Sequence, residues 1–309
     1  DLTSAEDIEL AELGKPEEEV LELDWDDAGQ VDVISVELGY GLIPLIEEER
    51  HGRLLQRAKG IRKKMSGEVG FLLPTIRIRD NLDIPPHQYQ LVVNGSTRGR
   101  GDIELGKFLA INPGSVLETV SGNQIKEPAF GLDAVWIDAK DKEYAQAVGY
   151  TVVDTSTVIA THLNSVLRDN AEELLTYEIT QHLIDRIEET SPKLIEELIP
   201  DNLSMSVIVK VLQNLLSEGV PIKDMRSILE TLSDAAPYTK APEALTNYVR
   251  TKLGRLIVQQ VCDPLETLEV ITLEPNLEQI LTDLVKSASS IDEVTLEPNL
   301  AQTLIGSLS

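Results

Sequence analysis

The sequence predicts a multidomain α+β chain, and three observations predict it. Between residue 31 and about residue 170, short runs with apolar residues at every second position alternate with runs of helical period. From about 171 to 262 the pattern is helical throughout. The length of 309 residues, with 42% hydrophobic content, suits two to four compact units, each able to bury a core.

The elements follow in chain order. Residues 1–30 hold twelve acidic residues against the single Lys15, a balance that disfavours a packed core and reads as an acidic flexible tail or linker. At about 30 residues such a tail reaches on the order of 30 Å, enough to touch a neighbouring subunit. Trp25 in "LDWDD" is either its anchor or an incidental aromatic. "VDVISVELG" alternates as a strand, and "RLLQRAKGIRKKM" puts Leu54, Ala58, Ile61 and Met65 on one helical face. Strands are expected in "FLLPTIRIRD", "HQYQLVVNG", "KFLAINPG" and "LDAVWID", separated by Gly, Pro, Asn and Asp. "KDKEYAQAV" reads as a helix, "GYTVVD" as a strand and "TSTVIATHLNSVLRD" as a helix. On that last helix Ile159, Leu163 and Val166 form a core stripe, while Thr157, Thr161, Asn164 and Arg168 form the opposite polar one, so Thr161 faces solvent or a groove.

Beyond it, Asn170 and Glu173 have capping-box spacing, and Ser191-Pro192 marks another helix start. "SMSVIVKVLQNLLSEG", "IKDMRSILETLSDA" and "PEALTNYVRTKLGRLIVQQV" each read as a helix. "LEVITLEPNL" predicts a strand feeding a helix, and "TLEPNL" occurs at both Thr272–Leu277 and Thr295–Leu300. Two copies are too few for a solenoid, and a reused turn with Pro in the first helical turn accounts for both.

Composition narrows the function. With 53 acidic and 27 basic residues the net charge is −26, which opposes binding to a phosphate backbone, so nucleic acid is not an expected partner. The one cysteine, Cys262, cannot form an internal disulfide and agrees with a reducing compartment. No run of about 18 apolar residues is present, nor an N-terminal signal peptide pattern. The first residue is Asp1, so a longer protein with a membranous part is compatible with the sequence.

Catalytic signatures are incomplete, and no enzyme, cofactor or metal is expected. "GDIELGKF" places Gly106 and Lys107 as in a phosphate-binding P-loop, but Phe108 stands where the magnesium-binding hydroxyl belongs and a strand follows instead of a helix. His51, His87, His162 and His182 lack metal-ligand spacing. Asp154, Ser156 and His162 are triad residue types without a nucleophile elbow. Arg53, Arg57, Lys59, Arg62, Lys63 and Lys64 cluster on one helix, either as a solvated face or toward an acidic partner. "SVIVKVLQNLLSEGVPIKDMRSILETL" outlines a helix-turn-helix, yet Asp224 and Glu230 offset Lys223 and Arg226 and speak against DNA docking. "EPAFGLDAVWI" places Phe130, one of only three phenylalanines, in a turn, where it is either a plug between modules or a surface anchor.

"IRKKMSGEVGFLLPTIRIRDNLDIPP", "FLAINPG", "EPAFGLDAVWI", "GYTVVDTSTVIATHLN" and "KVLQNLLSEGVPIKDMRSILETL" together resemble the flagellar branch of the type III secretion export-gate family, over about residues 31–270. The resemblance implies a mixed α/β first subdomain (33–105 plus 155–174) with an inserted small β-rich subdomain (106–154). A helical third subdomain (175–254) and a partial α/β fourth (255–309) would follow the linker of 1–32. It further implies a cytoplasmic region, beneath a membrane domain in the bacterial inner membrane, that forms a nine-subunit ring and works with other export-apparatus components. That region would dock flagellar export chaperones carrying filament-type substrates. The family's chaperone-binding D-P-A-F and A-T-H-L-N motifs map to Glu127, Phe130 and Thr161, with Glu in place of Asp; its W-x-D inter-subunit contact maps to Trp25 and Asp27. A virulence-type export gate of the same fold, and a phosphate- or nucleotide-binding regulator using Lys107, are the alternatives.

Overall fold

A computed structural model of the chain describes residues 32–46, 53–263, 267, 268, 270, 272–287 and 302. The chain divides after Gly254 into two compact units. It combines two small sheets with several helices.

In the first unit, strand β1 (Ile34–Leu38) lies between β2 (Ile76–Asp80), which is parallel to it, and β3 (Gln88–Val93), which is antiparallel. β4 (Ser96–Asp102) pairs with β3 and completes a sheet of order β2-β1-β3-β4. All five residues of β1 are buried, because both faces of the strand are covered. That leaves Glu37 in the interior, where burial alone would raise its carboxyl. Hydrogen bonds from Arg79 Nε (3.1 Å) and Asn81 Nδ2 (2.6 Å) oppose this and hold it below the ordinary carboxylate range.

Two helices cover this sheet: α1 (Arg53–Val69) packs on β2, while the later helix spanning Thr155–Asp169 packs on β3 and β4. α1 buries Leu54, Ala58 and Met65, three of the four residues of its expected apolar stripe; Ile61 is half-buried. Gly70 ends it with φ of +102°, and a Cβ there would fall 2.5 Å from the Lys223 nitrogen. The close approach lets the Ile222 N–H donate to the Val69 carbonyl at 2.8 Å, which fixes the end of α1 against the helical part of the unit.

Between β4 and the second covering helix the chain builds another sheet, order β6-β7-β5-β8, wholly antiparallel. Its strands are β5 (Phe108–Ile111), β6 (Asn123–Lys126), β7 (Asp133–Ile137) and β8 (Thr151–Asp154). Short helix α2 (Lys142–Ala147) closes a core of Ala110, Val120, Val135, Ile137, Ala145, Val148 and Tyr150. β8 then runs directly into α3 (Thr155–Asp169), whose N-cap Asp154 accepts from the Thr157 N–H at 2.7 Å.

The remainder of the unit is helical: α4 (Tyr177–Glu188), α5 (Pro192–Leu198), α6 (Met205–Ser217), α7 (Met225–Ala235) and α8 (Pro242–Lys252). Pro192 and Pro242 occupy first turns, where their missing N–H costs nothing. The expected single helix over 242–261 breaks at Leu253 and resumes as α9 (Gly254–Val258). In the second unit, α10 (Pro275–Ser287) begins with Pro in its first turn, as the "TLEPNL" reading expects. The strand expected before it is not formed by the described residues among 267–273; the second "TLEPNL" lies outside the described residues.

One further reading is corrected and one strand is added. Asn170 does not open a helix: it is the C-cap of α3, its Nδ2 donating to the Val166 carbonyl at 2.6 Å, and Thr176 caps α4 instead. β4, "STRGRGD", is a strand that the sequence reading does not include, and its glycines and charges have low strand propensity. Its glycines serve close packing, since a Cβ on Gly99 would lie 2.7 Å from His162 Nε2 and one on Gly101 would lie 2.8 Å from the Tyr89 ring. Gly99→Ala should therefore lower stability by about 1–3 kcal/mol, the usual range for overpacking, as read by urea unfolding. An unchanged midpoint would show that His162 moves aside freely.

Candidate functional site

The loop joining β6 to β7 carries Glu127 and Phe130, and Glu127 builds it. Its side chain is turned inward, 2% exposed, and the carboxylate accepts the N–H groups of Ala129 (3.0 Å) and Phe130 (2.8 Å). Its backbone N–H donates to the Leu132 carbonyl at 2.8 Å, and its carbonyl accepts from Gly131 at 2.9 Å. Gly131, with φ of +70°, supplies the left-handed turn that lets the chain reverse. The outcome is a tight loop that holds Phe130 68% exposed. Phe130 thus does not plug a joint, and the polar reach expected of Glu127 goes to its own loop.

Beneath the loop, His162 of α3 is buried, its Nδ1 2.8 Å from the Tyr89 hydroxyl of β3 and its ring edge-on to the tyrosine. Burial pushes the Tyr89 phenol up, so the hydroxyl keeps its proton, and it shares a hydrogen bond with Nδ1 whose direction follows the imidazole tautomer. Burial also lowers the His162 pKa, while the charge of Glu127 opposes that fall and also acts on Tyr89. These influences place the loop, β3 and α3 within electrostatic reach of one another.

Thr161 precedes His162 and is half-buried in a groove of about 350 Å³ between α1 and α3, with Thr157, Ala160 and Asn164 beside it and Arg57, Gly60, Ile61 and Lys64 opposite. Arg57 pairs with Asp154 at one end (3.1 Å) and Arg168 with Glu68 at the other (2.9 Å), so the helices run in the same direction. Phe130 is not among the groove's lining residues. Trp25 and Asp27, the expected inter-subunit contact, lie outside the described residues.

The other candidates are engaged elsewhere. Lys107 Nζ lies 2.6 Å from Glu104, which also accepts from Asn123, and β5 follows it, so no helix N-terminus is there to cradle a phosphate. Asp154 caps α3 and pairs with Arg57, while His162 bonds Tyr89, so the triad residue types do not converge. His87 and His182 are exposed and His51 lies outside the described residues. Among the described residues no group of three His, Cys, Asp or Glu side chains is gathered as for a metal, and no helix is long and apolar enough to cross a membrane. Tyr89, Gly99 and Gly60 are the residues the sequence reading missed; isolated glycines inside a strand and a helix were the signals available.

The lowered His162 pKa has a definite sign. A histidine held neutral by burial contributes stability that is present above its unfolded pKa of about 6.5 and is lost as pH falls toward the folded value. Urea unfolding between pH 8 and pH 5 should show the wild type losing more stability on acidification than His162→Asn. Parallel profiles would refute it.

Comparison with known proteins now places the chain. It is 45% identical over 284 residues to a protein of Proteus mirabilis named flagellar biosynthesis protein FlhA, covering 92% of this chain but 41% of that protein, so the chain spans about two-fifths of that relative. Its fold is shared with the CdsV protein of Chlamydia pneumoniae (TM-score 0.75, 22% identity, 93% of this chain and 84% of that one). It is shared also with a nonameric EscV cytosolic domain from the type III secretion system (TM-score 0.66, 21% identity, 90% and 80%). The FHIPEP family model matches residues 3–309, and the chain belongs to that family.

Proposed function

We propose that the chain is the docking platform of a flagellar type III protein export gate. In this reading it stands on the cytoplasmic side of the bacterial inner membrane, within a nine-subunit ring of the whole protein. It receives export chaperones carrying filament-type substrates and orders their delivery to the membrane channel. The 45% identity to a named flagellar biosynthesis protein favours the flagellar over the virulence reading. Lys107, already held by Glu104, favours docking over phosphate binding.

The observation that carries the reading is the exposed Phe130 on a backbone clamped from below. An apolar ring held in one place is an anchor whose ordering is complete before the partner arrives. An amphipathic chaperone helix lays its apolar face on it, and Thr161 offers a hydroxyl in the groove between α1 and α3. Glu127 acts as a positioning residue, through the loop rather than by touching the partner.

Burying one Phe contributes roughly 1.5–3 kcal/mol, about tenfold or more in affinity. Titration calorimetry with a filament-type chaperone–substrate complex should show Phe130→Ala weakened at least tenfold, with its melting temperature unchanged because the side chain is exposed. Lys107→Ala should bind as wild type does. Full-strength binding by a folded Phe130→Ala variant would move the site elsewhere. Glu127→Ala should also weaken binding, and urea unfolding should show it less stable, since two loop N–H groups lose their acceptor.

A further inference from the structure

Helix α1 carries two interior glycines, Gly60 and Gly67, seven residues apart and therefore on one face. Glycine inside a helix is destabilising relative to alanine, so its presence needs a reason. Elsewhere in this fold the reason is contact: Gly70, Gly99 and Gly101 leave no room for a Cβ. At Gly60 and Gly67 a Cβ would meet nothing within 4 Å. Packing among the described residues requires neither.

Gly60 opens onto the groove between α1 and α3, with Ile61 beside it and Ala160 and Thr161 opposite. The missing side chain leaves the floor low enough for an apolar side chain to enter from outside. Thr161, one of the proposed docking residues, is itself part of this groove. Its rim also has a sign. α1 bears six basic residues and one acidic residue on a chain of net charge −26, and Arg57 and Lys64 line the groove itself. Lys64 is exposed, and among the described residues it pairs with the half-buried Glu68 at 3.7 Å, a pairing weak enough to exchange.

We propose that this groove is a second contact for the docked chaperone. It seats an amphipathic helix that places an apolar residue over Gly60, between Ile61 and Ala160, and directs flanking acidic residues to Lys64 and Arg57. The proposal rests on the docking reading and extends it from one anchor to two. Gly60 is then a specificity-determining residue, kept small for the partner and not for the fold.

The two roles have opposite signs. Gly60→Ala should raise the melting temperature, because alanine favours the helix and meets no neighbour, while weakening the chaperone–substrate complex several-fold in titration calorimetry. Gly60→Leu, filling the groove, should weaken it tenfold or more, and Lys64→Glu should weaken it further at low salt than at high salt. Wild-type affinity in Gly60→Leu with loss in Phe130→Ala would overturn the groove contact and leave the docking reading standing. Wild-type affinity in both would overturn both. A Gly60→Leu variant that binds normally but sediments as a different oligomer would make a second copy of this chain the occupant and equally overturn the proposal.

Discussion

The imidazole of His162, laid on the backbone of Gly99 and hydrogen-bonded to Tyr89, sets the distance between α3 and its sheet. A strand residue with any side chain at position 99 would push the helix outward, since Nε2 stands 2.7 Å from where a Cβ would be. Once His162 faces the sheet, helical geometry decides the rest of α3. At about 100° per residue Thr161 falls on the flank of the helix, and Thr157, Asn164 and Arg168 fall near it. Ile159, Leu163 and Val166 fall inward. The polar stripe therefore meets α1 across an open groove instead of being wasted on the sheet. A single pinned ring fixes the helix rotation and the orientation of the groove.

The same ring feels the charge of Glu127 on the loop between β6 and β7. Glu127 spends both carboxylate oxygens on loop N–H groups, an arrangement with the physics of a helix cap: an ionised acceptor and donors that otherwise face no partner. The carboxylate accepts two successive N–H groups while the residue's own backbone closes the loop. For an exposed aromatic this matters more than any contact the acid could offer directly. A phenylalanine on a loose loop would surrender loop entropy on binding, of the order of 1–2 kcal/mol for each residue fixed, enough to cancel most of what burying one ring contributes.

Much of this was legible in the sequence, where periodicity and turn chemistry agree. The helix over 155–169, its inward stripe and the outward Thr161 follow from 3.6-residue spacing alone, because that helix has one buried face. β1 was legible as a strand, but its double burial was not, since Glu37 and Ser35 read as outward residues and Arg79 and Asn81, which satisfy the carboxylate, lie some forty positions away. β4 escaped because propensity reads glycine as a strand breaker, whereas here the glycines are what two distant aromatic rings require. The site divides along the same line. Phe130 in a Pro-Ala-Phe-Gly turn signals exposure locally. The inward turn of Glu127 does not, for a carboxylate in a loop looks solvated until the backbone that surrounds it is known.

Charge sets a last constraint on any docking by this chain. At physiological ionic strength the screening length is about 8 Å, so a partner at contact distance feels local charges and not the net −26. The chain as a whole carries 53 acidic residues against 27 basic ones. Along α1 the sign reverses, with Arg57 and Lys64 at the groove and Lys59 and Lys63 exposed beside it. Electrostatics of this kind selects the orientation of approach more than it supplies affinity. In the docking reading the division of labour follows: the basic helix admits one pose, and an apolar ring held on a rigid loop supplies the holding energy once that pose is reached.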